Sequence, residues 1–243
     1  MTAVAAQAKL RLSLFFKVVA MEREITAIKA QKRNRQRVNI YLDGEFAFGL
    51  SRFVAGWLET GRKLSEAEIK KLQEQDTYEV AFQKALQFIN HRPRSVDETR
   101  RRLSKKGFSE EVVESTLEKL QDKKYLNDPD FARQWIENRN EFRPRSNRLL
   151  AYELRLKGVA DKDITQALEE FGGDQDDLAY RAGIKKARKC RHETKFDFQK
   201  KVGGFLSRRG FHYGIVKPAV ERLWKEFATE DTPMRLDDTK KME

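Results

Sequence analysis

The sequence predicts a mainly α protein: tandem repeats of three-helix bundles, three copies in an elongated array, preceded by a small N-terminal β-hairpin/helix element. Three observations lead there. The tetrapeptide Arg92-Pro93-Arg94-Ser95 returns unchanged as Arg143-Pro144-Arg145-Ser146, 51 residues on. A second signature, Leu103-Ser104-Lys105-Lys106-Gly107-Phe108, keeps that register as Leu154-Arg155-Leu156-Lys157-Gly158-Val159 and comes back as Leu206-Ser207-Arg208-Arg209-Gly210-Phe211. Self-similarity at a fixed period marks a repeat architecture. Ahead of the repeats, apolar residues alternate with polar ones, which is the period of a strand rather than a helix.

In the N-terminal quarter Val38, Ile40 and Leu42 alternate with polar residues, as do Phe46, Phe48 and Leu50. Asp43-Gly44 between them favours a two-residue type I′ hairpin turn. Ile25 to Ile28 offers a third strand across the basic loop Lys32 to Arg37. Helices are expected at Ser51 to Thr60 and, behind a Ser65-x-x-Glu68 capping box, at Glu66 to Gln75.

Each glycine of the second signature has an apolar residue four before it and one after it, the spacing of a Schellman stop: the glycine takes the left-handed conformation and the apolar pair closes over it. Basic residues in the turn before the glycine suit the negative end of the helix dipole. Beyond the glycine, Val113, Leu117 and Leu120, then Ile164, Leu168 and Phe171, then Val216, Val220 and Leu223 fall on one helical face. A further helix precedes each pair, at Tyr78 to Asn90, Phe131 to Arg139 and Leu178 to Lys189. Pro93 and Pro144 disfavour helical geometry in Arg92 and Arg143 and so end the first helix of their repeats. Ser95 with Glu98 fits a capping box for the next helix, and Asn127 and Asp128 read as helix-start residues. The expected organisation is a dispensable N-terminal extension at 1–20, the β-hairpin plus helices at 21–76, repeats at 77–126, 127–175 and 176–228, and an acidic disordered tail at 229–243.

The formal net charge is +12, from 50 Lys and Arg against 38 Asp and Glu. The excess is concentrated: between Arg181 and Gly210 stand eleven basic residues against Glu193 and Asp197 alone. Such a stretch attracts nucleic acid or an acidic protein surface, whereas a salt-screened solvated face is the bland alternative. The single Cys190 excludes an intramolecular disulfide framework and suits a reducing cytosol. No apolar run reaches the length of a membrane span. Lys17 interrupts the apolar patch Leu10 to Ala20, which argues against a signal peptide and leaves Met21 as an alternative start.

Motifs for chemistry are missing, so no catalytic residue, metal or cofactor is expected. Cys190-x-His192 has no second pair at zinc spacing. Asp174-x-Asp176-Asp177 lacks the remaining ligands of a calcium loop. His91 and His212 stand at helix ends, where capping explains them. Walker A, dinucleotide and nucleophile-elbow sequences do not occur.

At this point the residues resemble a known family. Ala85 to Leu126, with Arg92-Pro93-Arg94-Ser95, Glu98, Leu103-x-x-Lys106-Gly107-Phe108 and Tyr125-Leu126-Asn127-Asp128, is similar to the first repeat of RecX, the regulatory protein of the RecA recombinase. Phe131-Ala132-x-x-Trp135-x-x-x-Arg139 followed by Glu153-Leu154-x-x-Lys157-Gly158 resembles its second repeat, and the likeness covers about Ile25 to Glu226. Three departures stand out. Lys124 occupies a position where glycine is common, Asn127 replaces a usual aspartate, and the third copy lacks the Arg-Pro-Arg-Ser tetrapeptide. The resemblance implies a cytoplasmic, non-enzymatic regulator. It would bind the RecA filament and the single-stranded DNA within it, usually lowering ATPase, strand-exchange and coprotease activity, and so tune recombination, DNA repair and the SOS response. A monomer is the default expectation.

The candidate contact residues are Arg33, Arg35 and Arg37 of the basic loop, the repeated Arg94 and Arg145, and the third-repeat cluster Lys185, Lys186, Arg188, Lys189, Lys200 and Lys201. For Arg94 and Arg145, bonding to a neighbouring repeat is an equal alternative. The competing reading is a free-standing helix-turn-helix-like DNA-binding protein, such as a transcription factor. Its recognition helices should carry Asn, Gln or Arg toward base edges, yet Glu110, Glu111, Glu114 and Glu118, then Asp161, Asp163, Glu169 and Glu170, make the corresponding helices acidic.

Overall fold

The computed structural model describes residues 22–227; the expected N-terminal extension at 1–20 and acidic tail at 229–243 lie outside the described residues. The described residues divide into two compact units, one of 22–90 with 102–120 and the other of 91–101 with 121–227. In order along the chain come β1 (Arg23–Ala30), β2 (Arg37–Leu42), β3 (Glu45–Ser51), a 3-10 turn at Val54–Trp57 and β4 (Lys63–Leu64). Nine helices follow among the described residues: α1 (Glu66–Asn90), α2 (Val96–Ser104), α3 (Glu110–Asp122), α4 (Asp128–Phe142), α5 (Asn147–Leu156), α6 (Asp161–Phe171), α7 (Gln175–Lys189), α8 (Lys195–Arg208) and α9 (Tyr213–Phe227). The mainly α, three-repeat fold with a leading β element is the one the sequence predicts.

The strands form an antiparallel sheet in the order β3-β2-β1-β4. Asp43 and Gly44 both take positive φ, 53° and 89°, as a type I′ turn requires. Alternation buries Val38, Ile40, Leu42, Phe48 and Leu50 against Ile25, Val54, Leu64 and Leu72. Two helical expectations are corrected here. Ser51 to Thr60 is not a helix: β3 runs to Ser51, and only the 3-10 turn follows before Leu58 is extended. The amide of Ser51 is committed to Asp76 (2.5 Å), and Gly56 and Gly61 weaken any longer helix. Conversely, the two helices expected at Glu66–Gln75 and Tyr78–Asn90 are one 25-residue helix, α1. No Gly or Pro interrupts Gln75-Asp76-Thr77, and buried Asp76 ties the helix to the sheet by accepting from Arg37 as well (2.8 Å). The capping box at its start forms, with Ser65 N donating to Glu68 Oε2 (2.9 Å) and Glu68 N to Ser65 Oγ (3.3 Å).

The second and third repeats each enclose their own core. Phe131, Ala132, Ile136, Leu150, Leu154, Val159 and Ile164 fill one; Leu178, Ala179, Phe198, Val202, Leu206, Val216 and Leu223 fill the other. The Schellman stops are present: Val159 N bonds Leu154 O at 3.2 Å and Phe211 N bonds Leu206 O at 3.4 Å, around Gly158 (φ 76°) and Gly210 (φ 88°). In the third repeat Thr194 caps α8, its Oγ1 accepting from Asp197 N (3.2 Å). It lies one helical turn further from its glycine than Ser95 or Ser146 does, which accounts for the missing tetrapeptide at the expected register.

The two sequence signatures meet in space. Ser95 Oγ donates to Lys157 O at 2.5 Å, and a Cβ on Gly158 would overlap Asp97. One repeat on, Ser146 N donates to Arg209 O at 3.0 Å, Arg209 Nη1 donates to Pro144 O at 3.0 Å, and a Cβ on Gly210 would overlap Ser146 Oγ. The glycine corner of each later repeat thus docks on the Arg-Pro-Arg-Ser cap of the repeat before it. Gly107, at the corner of the first copy, has open space where its Cβ would be.

Candidate functional site

The joint between the second and third repeats gathers positive charge. It begins with Glu153 on α5, a largely buried carboxylate that accepts from Trp135 Nε1 (3.0 Å) and Arg139 Nε (3.3 Å) and pairs with Arg145. The Arg139 guanidinium and the Lys157 ammonium lie over the Trp135 ring, 4.0 and 4.3 Å from its centroid. Around this staple the arginines crowd one another. Burial, then neighbouring Arg139, Arg209 and Arg143, pushes the Arg145 pKa down; burial and Arg143 do the same to Arg139 and to Arg209.

Beside the joint lies a groove of about 300 Å³. Its walls carry six cations: Arg143 at the end of α4, Arg181, Lys185, Lys186 and Lys189 on α7, and Arg209 at the end of α8. Pro144, Ala182 and Phe205 make the floor, and Phe142 stands at the rim. No carboxylate lines it. Arg181 is partly compensated from outside the groove, pairing with Glu141 at 3.6 Å and Asp177 at 3.8 Å. The α7 sequence explains the arrangement: Ala179, Ala182, Gly183 and Ala187 pack inward, leaving 181, 185 and 189 in register on the outer face. Gly183 is required there because a Cβ would overlap Leu223.

Of the candidate residues, Lys185, Lys186 and Lys189 come together in this groove. Arg188 leaves the same helix on another face and lies over the Phe227 ring (5.3 Å). Lys200 is exposed on α8, while Lys201 pairs with Glu193, whose hydrogen bond raises the Lys201 pKa. The others are spread. Arg33 and Arg35 are exposed in the β1–β2 loop. Arg37 turns inward to Asp76 and Gly49 O. Arg94 pairs with Glu98 (3.6 Å) and Arg145 with Glu153, both within their own repeat. Arg143, Arg181 and Arg209 are groove cations outside the candidate set. Arg181 was legible as the residue one turn before Lys185. The placement of Arg143 and Arg209 depends on the docking of a glycine corner that spacing alone does not reveal.

Among the described residues no cluster of His, Cys, Asp and Glu could hold a metal ion, and no helix is long and apolar enough to cross a membrane.

Comparison with known proteins bears on this arrangement. Four family descriptions match in chain order: the regulatory protein RecX N-terminal domain at residues 23–65, and the first, second and third three-helix domains of RecX at 81–120, 127–168 and 174–220. The regulatory protein RecX of Bacillus pumilus (strain SAFR-032) is 32% identical over 206 residues, covering 82% of this chain and 77% of the relative. The chain belongs to the RecX family. The RecX of Bacillus subtilis (strain 168) is likewise 32% identical, over 211 residues, with 86% of this chain and 80% of the relative covered. A crystal structure of regulatory protein RecX superposes with a TM-score of 0.63 at 26% identity, spanning 82% of this chain and 99% of that one. RecX from Lactobacillus salivarius shares the fold, with a TM-score of 0.52 at 22% identity over 61% of this chain and 97% of that one. As a RecX-family member the chain has a regulatory role. Its groove cations sit where the second and third RecX domains join.

Proposed function

We propose that this protein binds the filament that RecA forms on single-stranded DNA and inhibits it, lowering ATP hydrolysis, strand exchange and coprotease activity. It acts without catalysis of its own, as a cytoplasmic monomer that tunes recombination and the SOS response. The observation that carries this reading is the groove of six cations without a lining carboxylate, in a chain whose relatives are named regulatory proteins. A nucleoprotein filament offers such a groove phosphates and acidic side chains together, and binding to it weakens with salt through counterion release.

The test is RecA ATP hydrolysis on single-stranded DNA, titrated with this chain at two salt concentrations. Inhibition is expected, weaker at the higher salt. Reversing charge at Lys185, Lys186 and Lys189 should relieve it while the helical circular-dichroism signal stays intact. Hydrolysis unchanged at every ratio and salt would reject the reading, and full inhibition by the triple variant would reject the site.

A further inference from the structure

Phe142 is 72% exposed, and among the described residues its ring has no aromatic or cationic partner. Its position is dictated locally. It is the last residue of α4, Arg143 follows with non-helical backbone, and Pro144 stops the helix, so the ring is left standing at the groove rim. Phe205, the other groove aromatic, is partly buried against the third-repeat core and carries the Arg209 guanidinium over its ring at 4.6 Å. The groove therefore presents one bare aromatic ring beside a row of cations.

The row has a length. Arg181, Lys185 and Lys189 are spaced by four residues, so they climb α7 in steps of about 6 Å and span about 12 Å. A stacked strand carries a phosphate about every 3.4 Å, so the row matches three to four phosphates, fewer if the strand is stretched. Lys185, Lys186 and Lys189 make no ion pair among the described residues, so their charge is available.

We propose that this groove is a single-strand nucleic-acid subsite, in which the α7 cations with Arg143 and Arg209 hold successive phosphates and Phe142 stacks on one base. The ring decides among polyanions. Bases of a duplex are already stacked inside it and expose no face, whereas an unpaired base gains a stacking partner here, whatever its identity. An acidic protein segment would use the cations and leave the ring idle. This inference rests on the reading of the chain as a regulator of a filament on single-stranded DNA, and gives that reading a point of contact.

The experiment is fluorescence anisotropy of a labelled 20-nucleotide oligo-dT binding to the full chain, repeated with an abasic strand of the same length and with a duplex. Oligo-dT is expected to bind tightest. Phe142→Ala should weaken oligo-dT binding about five- to hundredfold and leave the abasic strand unchanged, while Phe142→Tyr retains binding. Lys185→Ala with Lys189→Ala should reduce the slope of log affinity against log salt by about 1.4, at about 0.7 per phosphate contact. Equal binding of all three parent ligands, an inert Phe142→Ala, or an unchanged slope would each overturn the subsite. Displacement of oligo-dT by polyglutamate of equal charge concentration would overturn it in favour of an acidic protein partner. Because RecA is not in the assay, a failed oligonucleotide pattern beside intact filament inhibition sinks the subsite alone. An intact pattern without inhibition sinks the filament reading alone.

Discussion

Lys124 shows how a single residue can carry a cost that its repeat absorbs. It follows α3 with φ of 58°, in the left-handed region that disfavours a side chain, and its amide bonds Gln121 O at 2.8 Å to close the helix. The resemblance to RecX implies glycine as the common residue here, and the positive φ gives a physical reason for it. Left-handed geometry costs a non-glycine residue about 1–2 kcal/mol, while glycine concedes about 0.4–1 kcal/mol in the unfolded chain. Lys124→Gly should therefore stabilise the protein, by roughly 0.5–1 kcal/mol on these figures. A urea titration of both proteins checks it, and an unchanged or lowered midpoint would mean the lysine has a compensating contact.

Single carboxylates at the joints behave differently from one another. Glu98 accepts from Arg92 (2.9 Å) and Lys157 (3.2 Å). Burial works to raise its pKa, but the Arg92 hydrogen bond and the Lys157 charge outweigh burial and hold it below the usual 4.5. A depressed carboxylate stabilises the fold above its unfolded pKa and loses that contribution as pH falls through the folded value. Asp128, raised chiefly by burial although it accepts from Val96 N (2.9 Å), has the opposite sign: its ionisation is disfavoured in the fold, and protonation relieves this as pH falls. The acid limb of stability below about pH 4.5 should hence shrink in Glu98→Gln, measured as the difference in urea midpoint between pH 6 and pH 3.5. An acid limb as steep as the parent's would show that Glu98 is not its source.

The helix pairs owe their geometry to local signals, and the way one repeat meets the next to tertiary contacts. Glycine stops, capping boxes and the apolar face of each third helix were legible because each depends on residues within about one or two turns. Two adjacent helices merging into α1 was not legible, because the tie from Asp76 to Arg37 and Ser51 is long-range. The same holds for the joint, where Ser95 meets Lys157 and Ser146 meets Arg209. Gly107, Gly158 and Gly210 look equivalent in sequence and are not equivalent in packing. Gly107→Ala should cost roughly 0.5–1 kcal/mol, the left-handed geometry less the gain from a stiffer unfolded chain. Gly158→Ala and Gly210→Ala should cost about 1–3 kcal/mol more, because the new methyl overlaps Asp97 in one case and Ser146 and Leu149 in the other. Thermal melts of the three variants test the ranking, and equal losses would refute the docking of glycine corners on caps.

Across the whole molecule, formal charge and available charge are different quantities. The net charge of +12 points to an anionic partner class, yet it does not say which cations are free. Arg37, Arg94, Arg145 and Lys201 are all spent on carboxylates of the chain itself, whereas Lys185, Lys186 and Lys189 face a groove that no carboxylate lines. Removing one charge from either group lowers the net charge equally, but the consequences should separate. Arg145→Gln leaves Glu153 with Arg139 and Trp135 only, so it should lose about 1–2 kcal/mol of stability after allowance for partial exposure. Its effect on the salt dependence of nucleic-acid binding should be slight. Lys185→Gln should leave the melting temperature within about 1 °C, since an exposed lysine contributes little, and reduce the salt slope by about 0.7. Measuring both properties on both variants decides the matter: if the two reduce the slope alike, net charge alone governs binding, and the groove has no special part in it.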